Sequence, residues 1–147
     1  MINLQELQSM WERDCKIDEL NLGSESIKTP ILHSKYLTHL STAKLQLRKA
    51  EASLLKLKRI KGQYFRGELS KQELDALGWD QYLGNKPLKQ DMQEYVEADD
   101  DVIQQIDKVE YIRTITDFLE RILRSLNGRT WDIKGAIEWT KFTNGLM

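Results

Sequence analysis

The chain has 147 residues, 40% hydrophobic and 31% charged, with two prolines, one cysteine and a net charge of -1. That is one domain's worth of sequence, too apolar for wholesale disorder, and its Leu, Lys, Glu, Gln, Ala and Arg content favours helix. The lone Cys15 excludes an internal disulfide and fits a reducing cytoplasm, no apolar run approaches the roughly 20 residues that span a bilayer, and Glu6, Glu12 and Asp14 stand where a signal peptide would be apolar.

Asn3 and Glu6 form a capping box, and Leu4, Leu7 and Trp11 recur at helical spacing. A short amphipathic helix is expected from about Leu4 to Asp14, stable only if its apolar face docks. Ile17, Leu20 and Leu22 anchor a connector that completes a segment 1–23. A long helix over 24–66 follows. Its start is either Ser24, in which case Pro30 kinks the first turns, or Thr29 with Pro30 as the first helical residue. From Leu37 the apolar residues fall at 37, 40, 43, 47, 50, 54, 57 and 64, steps that alternate near three and four, and Lys61 is the charged break in the seam. Such a stripe needs another long helix against it, from this chain or a sister copy.

The segment 67–98 carries local signals. Ser70 and Glu73 cap a short helix that Gly78 stops; residues 78–87, GWDQYLGNKP, are a loop; Pro87 opens a helix through Glu97. In the segment 99–128, Asp99, Asp100 and Asp101 read as a helix cap with favourable first-turn acids. Val102, Ile106, Val109, Ile112, Ile115, Leu119, Ile122 and Leu126 then form the second stripe, the natural antiparallel mate of the first, ending at Asn127-Gly128. The segment 129–147 spreads Trp131, Ile133, Ile137, Trp139 and Phe142 around most of a short helix. An aromatic helix of that kind is rarely left in water: it either folds back onto the core or docks on another subunit, and the second is favoured, so these five are assigned to self-assembly. The expected architecture is all-α, a single helical domain of two long antiparallel helices with short N- and C-terminal helices.

Charge is segregated along the chain. Residues 41–66 hold eight basic residues against Glu51 alone, whereas residues 67–101 hold ten acids against Lys71, Lys86 and Lys89. The basic concentration is densest where Lys56, Lys58, Arg59, Lys61 and Arg66 interleave with Tyr64 and Phe65. Cations of this density meet phosphates, and aromatic rings stack on unpaired bases, so the stretch is a candidate site for single-stranded nucleic acid. Two other readings stay open: a solvated basic face on a long helix, and pairing with the acidic block inside a coiled-coil adaptor or scaffold that has no nucleic-acid ligand. Whether Tyr64 and Phe65 stack on bases or are buried is likewise open.

Catalytic chemistry finds no residues. His33 and His39 are six apart, off the i,i+3 and i,i+4 spacings of a helical metal pair, and no acid or histidine lies four residues after any of the three consecutive aspartates. Neither a GxxxxGK[ST] phosphate loop nor a GxGxxG motif occurs. A binding protein without metal or cofactor is expected, not an enzyme.

Three stretches resemble the UvsY family of phage recombination mediators: Asp14 to Leu37, with Ile17-Asp18, Leu22, Glu25 and Ser34-Lys35-Tyr36-Leu37; Leu57 to Gly67, with basic residues, two adjacent aromatics and a glycine; and Ala98 to Gly145, with Ala98-Asp99, Asp101-Val102, Asp117-Phe118 and Ile133-Lys134. The likeness covers most of the chain and is weakest over residues 68–97, where this sequence is longer. It implies an all-helical subunit of a ring-like homo-oligomer, a heptamer in the family, that binds single-stranded DNA. It also implies partners: a RecA-like phage recombinase, which such proteins load, and the phage single-strand-binding protein that covers the strand. The setting would be the cytoplasm of an infected host cell, with no membrane. Within the basic stretch it singles out Arg59 and Lys61, whose residue types are exchanged relative to the family, and it gives the C-terminal region to assembly.

Overall fold

The computed structural model describes residues 1–145, so the last two residues of the 129–147 segment lie outside the described residues. All regular structure among the described residues is helical: α1 (Leu4–Asp14), α2 (Leu22–Phe65), α3 (Lys71–Leu77), α4 (Met92–Glu97) and α5 (Asp100–Thr143). The chain forms two compact units, and both long helices contribute to each. The first holds Met1–Gln46 and the described residues from Ile112 onward; the second is Leu47–Tyr111.

In the first unit the two stripes meet as their spacing requires. Leu7 of α1, Tyr36, Leu40 and Ala43 of α2, and Ile115, Leu119, Ile122 and Leu126 of α5 form one buried cluster. The α2 and α5 portions run antiparallel, since Glu25 pairs with Arg129 and Lys44, further along α2, with Glu120. The Asn3 side chain accepts from the Glu6 N–H at 2.8 Å, capping α1, and Leu7 is its one buried residue. A helix of 11 residues is marginal in water alone, and docking stabilises it. Trp11 meets the Tyr36 ring edge-on at 5.4 Å, and Asp14 accepts from the Tyr36 hydroxyl at 2.8 Å and from the Lys35 ammonium at 2.7 Å. Burial works to raise the Asp14 pKa, but these two hydrogen bonds and the Lys35 charge outweigh it and hold the carboxyl below its ordinary value. Burial first, and then Asp14, pushes the Tyr36 hydroxyl up.

Two helix boundaries differ from expectation. Helix α2 begins at Leu22, ahead of both expected starts, because Asp18 organises the preceding turn: its carboxylate accepts from the Leu20 N–H at 3.0 Å and the Asn21 amide at 2.7 Å. Pro30 therefore lies inside the helix. Helix α5 does not stop at Asn127-Gly128 but runs on to Thr143, so the C-terminal segment is its continuation. The reason is tertiary. Leu126, Arg129 and Ile133 extend the buried face at helical spacing. The Arg129 guanidinium donates to the Glu25 carboxylate at 2.6 Å, to the Thr29 hydroxyl at 2.9 Å, and to the Glu25 carbonyl. These interactions outweigh the helix cost of Gly128, about 1 kcal/mol.

The second unit packs the basic end of α2 against α4 and the start of α5. Ala50, Val96, Val102 and Val109 are buried there. The antiparallel sense holds within this unit too: the Gln105 amide donates to the Ala50 carbonyl at 3.0 Å, and Lys61 reaches Asp101. Ser70 caps α3, accepting from the Glu73 N–H at 3.2 Å, and Gly78 ends it with φ 71°, a conformation that favours glycine. Pro87 is buried but opens no helix; α4 starts only at Met92, after a turn in which Asp91 makes no side-chain cap. Asp99 caps α5, its Oδ2 accepting from the N–H groups of Asp101 at 3.0 Å and Val102 at 3.3 Å. Among the described residues no helix is long and apolar enough to cross a membrane.

Candidate nucleic-acid interface

The seven residues of the basic-aromatic stretch all lie at the end of α2 in the second unit, but the helix turns them to different environments. Lys56 and Arg59 are exposed and have no ion pair among the described residues. Lys58 is half-buried, its Nζ 3.7 Å from Glu97 on α4. Arg66 grips Glu68 just past the helix end, Nε at 2.9 Å and Nη2 at 3.3 Å, and this hydrogen bond is the main cause that lowers the Glu68 pKa. The Arg66 guanidinium lies against Gly62, where a side chain would begin 3.2 Å from Nη1. Lys58, Arg59, Gly62 and Arg66 thus form one wall of a groove of about 410 Å³, and α4 forms the other with Met92, Gln93, Val96 and Glu97.

Lys61 is placed differently. It occupies the gap in the apolar seam and is only 5% exposed. Its ammonium donates to Asp101 at 2.8 Å, lies 3.2 Å from Asp99, and sits 4.1 Å above the centre of the Trp79 ring. Burial alone would lower its pKa; the hydrogen bonds and charges of Asp101 and Asp99 overcome this and raise it above the ordinary value. Two carboxylates and an indole thus already surround its ammonium.

Tyr64 and Phe65 are half-buried in a cluster of rings. Tyr64 packs on Trp79 at 5.4 Å and Tyr82 at 5.6 Å, and its hydroxyl donates to the Asp80 carbonyl at 2.6 Å. Phe65 meets Tyr82 at 5.1 Å and Tyr95 at 6.0 Å. The pair therefore ties the 67–98 segment onto the end of α2. The sequence pattern offers Trp79 and Tyr82 no partner, and Asp99 and Asp101, which read as cap and first-turn acids, also hold Lys61. The signal was the charge asymmetry itself, ten acids following directly on the basic run.

The five expected assembly residues separate as well. Trp131, Trp139 and Phe142 are 72%, 66% and 59% exposed, with the Trp139 and Phe142 rings stacked at 5.8 Å. Ile137 is half-buried. Ile133 is buried within its own unit, where it packs on the fold instead of facing outward.

The family model described as recombination, repair and ssDNA binding protein UvsY matches residues 10–146. Crystal structures of the recombination mediator protein UvsY of bacteriophage T4 share the fold. One lattice form superposes with a TM-score of 0.83 at 23% identity, covering 98% of this chain and 99% of that one. Two others give 0.81 at 23% identity, covering 93% and 98%, and 0.80 at 22% identity, covering 97% and 99%. No curated protein sequence matches. Helices α2 to α5, with the basic end of α2, fall within the span that the family model covers, and the chain belongs to the UvsY family of recombination, repair and single-stranded DNA-binding proteins.

Proposed function

We propose that this chain is a recombination mediator. It binds single-stranded DNA through the basic end of α2 and promotes loading of a RecA-like phage recombinase onto strands covered by single-strand-binding protein, in the cytoplasm of the infected cell. The observation that carries the reading is Arg59, exposed and without a carboxylate partner among the described residues, on a groove wall shared with Lys58 and Arg66. Lys56, Lys58, Arg59 and Arg66 neutralise phosphates. Lys61, Tyr64 and Phe65 act on the DNA indirectly, by holding the 67–98 segment and the start of α5 against the helix that presents those cations. Four phosphate contacts per copy give weak, salt-sensitive binding. A ring-like homo-oligomer, heptameric as the family resemblance implies, multiplies it through avidity. Trp131, Trp139 and Phe142, with Ile137 beside them, supply the apolar surface for that assembly.

One observation favours the adaptor or scaffold reading: Lys58, Lys61 and Arg66 all pair with acids of the same chain. A binding titration with oligothymidylate across a salt series separates the two. A mediator binds, and Arg59→Ala lowers the slope of log affinity against log salt by about 0.7, the value for one lost phosphate contact on a single strand. A chain that leaves the oligonucleotide free at low salt is the scaffold.

A further inference from the structure

Two cations that line the groove between α2 and α4 already hold carboxylates, one of which, Glu97, is itself part of the lining. Glu97 faces Lys58 across the groove, and Glu68 sits on the Arg66 guanidinium through two nitrogens. The second contact is the fork geometry that a guanidinium offers a phosphate. We infer that Glu97 and Glu68 stand in for phosphates of the strand in the free protein and are displaced from Lys58 and Arg66 when DNA enters the groove. The inference rests on the single-stranded DNA reading above and adds to it residues that set affinity by competing with the ligand.

Three features distinguish these pairs from purely structural ones. Both carboxylates are about half exposed, so water and salt screen them and the pairs are weak. Lys61 is the contrast within the same unit: its side chain is 6% exposed, it has two acids, and an indole lies under it, an arrangement that a passing phosphate does not open. Next, the weak pairs flank Arg59, which has no carboxylate of its own among the described residues, so a phosphate first held at Arg59 has a cation on either side to recruit. Finally, Gly62 lets the Arg66 guanidinium lie along the helix; a side chain there would crowd Nη1. The groove, about 410 Å³, accommodates a phosphodiester with part of its sugars. Displacement has a thermodynamic signature. A cation already neutralised by a carboxylate gains less from a phosphate, so the free protein binds more weakly than its cation count implies.

The full chain, its Glu97→Gln and Glu68→Gln variants and a Glu12→Gln control are titrated with labelled oligothymidylate over a salt series by fluorescence anisotropy. Glu12 is exposed on α1, and its substitution makes the same change in net charge. Each groove variant is expected to bind about two- to fivefold tighter at low salt, the range that exposed ion pairs span. Its salt slope should steepen by up to about 0.7, while the control matches the parent. Groove variants that bind no tighter than the control overturn displacement, and so does an equal gain in all three. If the parent chain binds the oligonucleotide and Arg59→Ala weakens it while the glutamine variants change nothing, displacement alone fails. If the parent does not bind at all, the DNA reading fails with it.

Discussion

Replacing Lys61 with methionine keeps most of the apolar stem in the seam and removes the charge. Asp99, with a side chain 16% exposed, then has no cation within 4 Å, and Trp79 loses the ammonium over its face. Unpairing a mostly buried carboxylate costs about 1–3 kcal/mol. Asp101 is half exposed, so its unpairing adds at most about 1 kcal/mol. The contact with the indole contributes about 0.5–1 kcal/mol. These effects share one atom and do not add fully, so about 2–3 kcal/mol is expected. For a chain of this size that lowers the melting temperature by about 4–12 °C. Urea unfolding followed by circular dichroism, at one fixed protein concentration so that any association of copies is held constant, measures the loss. Arg59→Met should leave the midpoint within about 0.5 kcal/mol, as an exposed surface change does. In the DNA titration the order reverses: Arg59→Met flattens the salt slope, and Lys61→Met, tested below its unfolding transition, does not. A Lys61→Met protein as stable as its parent, with a slope reduced as much as by Arg59→Met, would refute this account and make Lys61 a phosphate contact.

Two further outcomes follow from the first unit. Arg129→Met removes the donor to the buried Glu25 carboxylate and to the Thr29 hydroxyl. Glu25 keeps Lys28 at 2.8 Å, so the loss should fall near the lower end of the range for a broken buried pair, about 3 kcal/mol, read from the urea midpoint. The Glu25 carboxyl is held below its ordinary value first by Lys28 and then by Arg129, and Asp14 is lowered too. A carboxyl whose folded pKa is depressed stabilises the protein above its unfolded value and loses that contribution as pH falls through the folded one. Melting temperature should therefore be flat down to about pH 4.5 and decline below it, and Asp14→Asn should start lower and decline less steeply. A decline that begins well above that pH would locate the acid-sensitive groups elsewhere.

What sequence could show here was set by periodicity and charge. The Leu37–Leu57 and Val102–Leu126 stripes specify long helices and their mutual packing, because a stripe of that length has to be covered. The caps at Asn3, Ser70 and Asp99 are local hydrogen-bond chemistry and were readable for the same reason. Helix α5 was cut short because Gly128 is a local stop signal, while the anchor that overrides it, Arg129 on Glu25, joins residues 104 apart in the chain. Lys61 shows the limit most sharply. Its place in the apolar seam was visible, and a charge in a seam demands a partner. Which of ten downstream acids would supply one depends on how the 67–98 segment returns to the helix, and no pattern in that segment encodes the return. The same gap hides that Lys61 and Arg59 stand in different surroundings and that Tyr64 and Phe65 pack among the rings of the 67–98 segment.

Charge and apolar exposure in this chain bear on each other. Of five cations in the basic stretch, two are unpaired among the described residues, two sit in weak pairs, and one is locked in the fold. On the proposed reading, one copy releases few counterions, and a single copy is a poor ligand for DNA at physiological salt. In the first unit, Trp131, Trp139 and Phe142 leave large apolar side chains in water, at a cost of about 25 cal/mol for every Å² that association would cover. If association of copies covers them, the two deficits are linked. A strand that spans several copies binds the assembled state and not the dispersed one, so DNA stabilises assembly and assembly strengthens DNA binding by the same factor. On this argument the displaceable glutamates have a use: with avidity holding the strand as a whole, weak competition at each groove lets individual phosphates leave one at a time without releasing it.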